Sequence, residues 1–150
     1  MNCAWQDYLY ILPSWLRQEA DKHRLTLLET RLRINRETEF VTRSGSFWLS
    51  RPTSSDDLNF CINSATKYSP WNAATSSQGY ITAPGGHRIG VCGEVVVKDK
   101  QPVGIRNLTS LCIRVARDFP GIAENADNIR SDAIIMYNDF FIFLPPFKVI

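Results

Sequence analysis

The chain has 150 residues, 17 Lys and Arg against 15 Asp and Glu, and 44% hydrophobic residues. That length and apolar content suit one small domain with a core and exclude a disordered or fibrous segment, while a formal charge of +2 lies too near balance to argue a nucleic-acid or anionic-membrane partner from net charge. The four cysteines, Cys3, Cys61, Cys92 and Cys112, are scattered without a CxxC or Cys/His cluster and read as reduced thiols rather than a metal site or a disulfide framework.

Residues 4–12 carry Trp5, Tyr8, Leu9 and Leu12 at helical spacing, and Pro13 suits the start of a second short helix with Trp15 and Leu16. Over 25–34, Leu28, Leu32 and Ile34 alternate with Glu29, Arg31 and Arg33, which predicts a strand with one charged face. Segments 39–42 and 47–49 flank Arg43-Ser44-Gly45-Ser46 and read as a hairpin able to pair with that strand. In 53–57, Ser or Thr can cap a helix whose Asp56 and Asp57 sit at the positive end of its dipole. Leu58, Cys61, Ile62, Ala65 and Tyr68 then recur every three to four residues, one face turned to a core. Pro70 ends this helix, 71–75 fits one further turn, and 76–78 links onward.

The densest stretch is 79–117, GYITAPGGHRIGVCGEVVVKDKQPVGIRNLTSLCIRVAR. A short β-prone run reaches Ala83, Pro84-Gly85-Gly86 makes a turn whose glycines supply positive φ, and a valine-rich run follows His87. After a second turn over 98–102, Leu111, Ile113 and Val115 alternate with Cys112, Arg114 and Ala116. The unit predicted is a three-stranded antiparallel meander with a type I′ or II′ first turn. Gly90 and Gly93 lie inside its middle strand, where a bulge or a close backbone approach uses the missing side chain. Pro120-Gly121 breaks the pattern and 122–129 fits a short helix.

No nucleophile or orienting carboxylate is placed beside His87 by the sequence, so no catalytic residue is assigned. His87 and Arg88, just past the tight turn, are candidates for contacting another domain or subunit, since the planar arginine fork suits carboxylate and phosphate. Arg106, Arg114 and Arg117 on the third strand and its exit join them as interaction or inter-domain candidates; Pro84, Gly85, Gly86, Gly90 and Gly93 are assigned to structure. Arg31, Arg33 and Arg36 form a second basic cluster. A shared basic face could take RNA or DNA, but the aromatic residues lack the spacing of a stacking platform. Asp56-Asp57 could be a metal pair, yet capping accounts for both, and no metal site is assigned.

GYITAPGGHRIGVCG and GIRNLTSLCIRVARDFPG, with YSPWNAAT, DDLNFCINSAT and LLETRLRIN before them, closely resemble the N-terminal region of the stage III sporulation protein AA family, ATPases of endospore-forming bacteria. The elements read above make residues 1–130 an α+β domain, an antiparallel sheet centred on the 79–116 β-meander and packed by the 58–68 helix and the N-terminal helices. The resemblance implies that 131–150 begin a RecA-like ATPase domain, with Phe140-Phe141-Ile142-Phe143-Leu144 as a strand entering a phosphate loop. No GxxxxGK[ST] follows, so the cradle for β- and γ-phosphates is missing. A truncated or frameshifted reading frame is therefore expected, with a naturally short paralogue as the alternative; the chain is expected to be inactive in ATP hydrolysis by itself, with no cofactor of its own, although ATP and magnesium are implied for the full-length family. Further implications are a homo-oligomeric ring, secretion-ATPase-like work at a channel between mother cell and forespore, and membrane proteins of that channel complex as partners. No leader or membrane-spanning stretch is read in the sequence, so a cytoplasmic protein, peripheral at the membrane through partners, is expected. A stand-alone nucleic-acid-binding module, or a fragment without function, are the alternatives.

Overall fold

A computed structural model describes residues 2–67 and 79–117. In chain order the elements are α1 (Asn2–Ile11), α2 (Ser14–Lys22), β1 (Leu27–Arg33), β2 (Glu37–Thr42), β3 (Gly45–Pro52), α3 (Ser55–Ala65), β4 (Tyr80–Thr82), β5 (Arg88–Lys98) and β6 (Gln101–Arg114). The strands form one antiparallel sheet in the order β3-β2-β1-β6-β5-β4. The α+β class with helices packed on an antiparallel sheet is thus what this sequence forms. Two three-stranded meanders, 27–52 and 80–114, meet where β1 pairs with β6, Glu29 opposite Arg114 and Leu32 opposite Leu111. That seam, rather than the second meander alone, is the centre of the sheet. The expected turn at 71–75, Tyr68 on the helix face, the 122–129 helix and the 140–144 strand lie outside the described residues.

The alternation in β1 holds with one correction. Thr30 and Leu32 point into the core, as expected of even positions, but the fully buried leucine at the strand's start is Leu27 and not Leu28. The ladder to β2 pairs Leu27 with Thr42 and Glu29 with Val41. Leu28 is thus a bulged residue, and a bulge reverses which parity faces inward on either side of it.

Helices α1 and α2 fold back on each other at Pro13, whose carbonyl accepts the amides of Leu16 and Arg17. A proline at the mouth of a helix loses no ladder bond. Arg17 Nε donates to the Leu12 carbonyl at 2.8 Å, capping the end of α1. Trp5, Tyr8, Ile11, Leu12, Leu16 and Ala20 are buried against Leu27, Leu32, Phe40, Leu58, Ile62, Ile89, Leu111 and Ile113. The buried indole of Trp5 and the half-buried one of Trp15 both find acceptors: Trp5 donates to Asp21 at 2.8 Å and Trp15 to Asp57 at 3.0 Å, tying α1 to α2 and α2 to α3. Ser54 caps α3, its hydroxyl accepting the Asp57 amide while Asp57 accepts the Ser54 amide. Asp57 is committed to that reciprocal box.

The turn between β4 and β5 differs from the expected two-residue hairpin. The Gly86 amide bonds the Ala83 carbonyl, with Pro84 at the second position and Gly85 at φ 79°, ψ 4° at the third, which is a type II turn. Gly86 continues at φ 79°, so both glycines do supply positive φ. The type I′ arrangement occurs instead at the next turn, where Asp99 and Lys100 have φ of 52° and 61° and Lys98 pairs with Gln101. Consequently β6 begins ten residues before Leu111, the first residue whose alternation marked it as a strand. Gly93 sits at a ladder irregularity, Cys92 opposite Ser110 but Glu94 opposite Arg106. A Cβ there would lie 2.6 Å from Ile105 Cγ2 and 2.8 Å from the Arg106 carbonyl, so bulge and close approach coincide.

Candidate interaction face

The helices cover one face of the sheet. The positions alternating with the core residues make the other face, and the register arranges them in rows. One row runs Thr82, Arg88, Arg114, Glu29, Val41, Ser46; the next runs Tyr80, Gly90, Cys112, Arg31, Glu39, Trp48. Charges interleave in the middle. Arg31 donates to Glu29 and, at 3.2 Å, to Glu39; Arg33 reaches Glu39 at 3.2 Å and Arg114 reaches Glu29 at 3.5 Å. Glu29 and Glu39 are 4% and 7% exposed, carboxylates roofed by the arginines that neutralise them, as buried charge requires. Burial works against the charge on Arg31, but Glu29 and Glu39 outweigh it and hold its pKa above the usual arginine value. Beneath this ladder burial and Glu29 push the Cys112 thiol up to about 12. Burial likewise raises the Cys61 thiol, and Cys61, Cys92 and Cys112 are all unbridged.

Around the ladder the face is aromatic and cationic. Trp48, opposite Glu39, is 58% exposed. Arg88 lies over the Tyr80 ring at 5.4 Å and is directly opposite Arg114. Like charges in register oppose the pairing of their strands, and Glu29 stands beside Arg114 in that row. Gly90, between Tyr80 and Cys112, would bring a Cβ only to ordinary contact at 3.7 Å from Cys112 Cβ, so it leaves a shallow gap in the floor.

The sequence candidates fall into three groups. Arg88 and Arg114 share the open face. Arg106 stands apart on the β5–β6 arm, donating to Glu94 at 3.0 Å with both side chains largely exposed. His87 and Arg117 turn to the fold. His87 is fully buried; its Nδ1 accepts the Ala116 amide at 2.9 Å and its Nε2–H donates to the Ala4 carbonyl, so β-strand alternation sends the ring inward and the next side chain, Arg88, outward. Arg117 donates to the carbonyls of Leu27 and Arg24 and stacks over Trp5; burial and then Arg43 depress its pKa. Pro84, Gly85 and Gly86 build the turn that holds the His87 ring. Glu39 and Trp48 went unmarked in the sequence because only the β1–β2–β3 register sets them beside Arg31; Glu29 was legible in the strand alternation, without its role.

The nucleotide that the resemblance implies finds no fitting residues among those described. The Gly85-Gly86 turn would be the glycine-rich candidate, but a Cβ at Gly85 would already lie 2.9 Å from His87 Nε2. Its hollow is filled by an imidazole, and no phosphate-loop sequence occurs in the 150 residues.

Fold and face together define a helix-backed antiparallel sheet domain that presents an arginine–carboxylate lattice flanked by aromatic rings. The family model described as Sporulation stage III, protein AA matches residues 11–138, and the chain belongs to that family. It is 33% identical over 110 residues to the stage III sporulation protein AA of Bacillus subtilis (strain 168), an alignment covering 73% of this chain and 36% of that protein. The chain thus spans about a third of the length of that relative. No solved structure matches it. Among the described residues no helix is long and apolar enough to cross a membrane.

Proposed function

We propose that this domain is the partner-contacting part of a stage III sporulation protein AA ATPase, which powers a secretion-like channel complex between mother cell and forespore. ATP and magnesium are used by the remainder of the full-length family protein, assembled as a ring, and this domain works in the cytoplasm, held at the membrane through the channel's membrane proteins. The observation that carries the reading is Arg88 opposite Arg114 on the sheet face turned away from the described helices, with Tyr80 under one guanidinium. Two planar forks in register, one of them stacked on a tyrosine ring, suit the carboxylates of an incoming acidic segment of a protein partner. A nucleic-acid backbone is disfavoured, because Glu29 and Glu39 neutralise Arg31 and Arg33 and so interrupt the cationic track that a run of phosphates would follow.

The test is a chimera in which this chain replaces the matching region of the Bacillus subtilis protein, scored by spore formation. The chimera is expected to sporulate. Arg88→Glu is expected to abolish sporulation without lowering the melting temperature of the purified domain, since it ends the like-charge pairing with Arg114, and Lys67→Glu, on the helix side, to have no effect. Normal sporulation of the Arg88→Glu chimera would remove the open face from the function.

A further inference from the structure

The arm formed by the distal halves of β5 and β6 extends past the strands that flank it. β4 pairs only with Arg88–Gly90, and the last bond on that side runs from the Val91 amide to the Gly79 carbonyl at 3.1 Å. From Cys92 to Lys98 the outer edge of β5 meets no partner strand among the described residues. An edge of this kind is a template for another strand unless something interrupts it.

The two edges of the arm are not equivalent. Both ladder irregularities place their extra residues on β6. Gly93 alone opposes 107–109, Val103 has no counterpart between the pairs Val96–Gly104 and Val97–Pro102, and Asn107 has φ 48°. Bulges and Pro102 spoil the outer edge of β6 for strand addition. Across the arm, Glu94–Lys98 of β5 is unbroken, and it exposes Val95 at 42% and Val97 at 59%.

Since the Val91 amide points outward to Gly79, the two-residue alternation turns the amides and carbonyls of Gly93, Val95 and Val97 outward as well. An antiparallel pairing of this edge with itself about a two-fold axis at Val96 sets Val95 opposite the partner copy's Val97 as a hydrogen-bonded pair, twice. The same register sets Glu94 opposite the other copy's Lys98, twice, at the closer, non-hydrogen-bonded spacing. Moving the axis to Val95 faces Glu94 with Val96, and moving it to Val97 faces Lys98 with Val96 and leaves Glu94 opposite only Lys100, a turn residue at φ 61° beyond the strand. The charge pattern therefore selects one register.

We propose that two copies of this chain associate through their β5 edges, antiparallel about Val96, joining the two arms into a four-stranded ribbon. The contact is isologous and closes at two copies of this chain, so it is distinct from the head-to-tail contact between neighbours in a ring, and it pools the exposed valines of both arms.

The test uses the full 150-residue chain in sedimentation equilibrium. The parent is expected to form a reversible dimer. Lys98→Glu and Glu94→Lys each set like charges opposite in both pairs and should weaken self-association by about tenfold. Mixed in equal amounts they should recover the parent's affinity, because the edge of one variant then carries two lysines, the edge of the other two glutamates, and every cation faces a carboxylate. The bond from Glu94 to Arg106 lies within one copy, and Lys98→Glu leaves it intact, so that variant separates the contact from the arm's own stability. A parent that stays monomeric, single variants that dimerise like the parent, or a mixture no tighter than either variant alone would each overturn the proposal.

Discussion

The Ala116 amide donates to Nδ1 of His87 at 2.9 Å, and that bond fixes the tautomer of a ring buried 29 residues away in sequence. Because Nδ1 accepts, the proton is on Nε2, where it goes to the Ala4 carbonyl. One imidazole therefore joins the start of α1, the start of β5 and the exit of β6, with the edge of the Tyr8 ring against it at 5.3 Å.

Protonation would put a donor against the Ala116 amide and break this junction. Burial lowers the pKa of His87 below 6.5, with the Ala4 carbonyl and Asp7 opposing the shift. A histidine depressed in the fold binds its proton more tightly when unfolded. Its contribution to stability is whole above 6.5, shrinks as pH falls below that value, and stops changing below the folded pKa. The melting temperature should fall between pH 7 and 5.5, and in His87→Gln that slope should flatten while stability at pH 7 drops by about 2 kcal/mol. Scanning calorimetry of both proteins across this window checks it.

The turn that holds the ring gives a graded pair. Gly85 and Gly86 both have φ of 79°, but a Cβ on Gly85 would lie 2.9 Å from His87 Nε2 and 3.1 Å from Asp7 Cβ, whereas one on Gly86 meets Ala116 Cβ at an ordinary 3.7 Å. Gly86→Ala should cost about 1 kcal/mol, the left-handed strain alone. Gly85→Ala should cost clearly more and also perturb the His87 titration. Urea melts with the imidazole followed by NMR measure both effects.

A second contrast lies in the arm. Gly93→Ala drives a methyl into Ile105 and the Arg106 carbonyl and should destabilise by about 2 kcal/mol. Gly104 has nothing within 4 Å of an added Cβ, so Gly104→Ala should be near neutral. Equal losses in chemical denaturation would show that the bulge is not closely packed.

Asp57 serves both the α3 cap and the Trp15 indole. Burial raises its pKa, but the hydrogen bonds from Ser54 and Trp15 outweigh this and hold it below 3.8. Its contribution is thus present above that value and lost as pH falls through the folded pKa. Asp57→Ala should cost about 2 kcal/mol at pH 7, more than the roughly 1 kcal/mol of Ser54→Ala, since it also strands an indole N–H. The gap between the two variants should narrow as the pH approaches 3, which fluorescence-detected melts of the Trp15 environment can follow.

Local patterns by themselves determined the three helices, a Ser or Thr cap within 53–57 that the structure narrows to Ser54, the period-two strands and the positive φ of Gly85 and Gly86, because each is set by residues within a turn or two of one another. The charged face of β1 was legible in the same way, as Glu29, Arg31 and Arg33 alternate with core positions. What the tertiary structure alone decided depends on register between distant segments. Antiparallel pairing of β1 with β6 brings Arg114 to Glu29 across 85 residues, and pairing with β2 brings Glu39 to Arg31. The bulge at Leu28 inverted the expected parity because one unpaired residue shifts every side chain beyond it to the other face. His87 and Arg88, adjacent in sequence, were separated into core and surface by the same two-residue period, once the sheet had an inside.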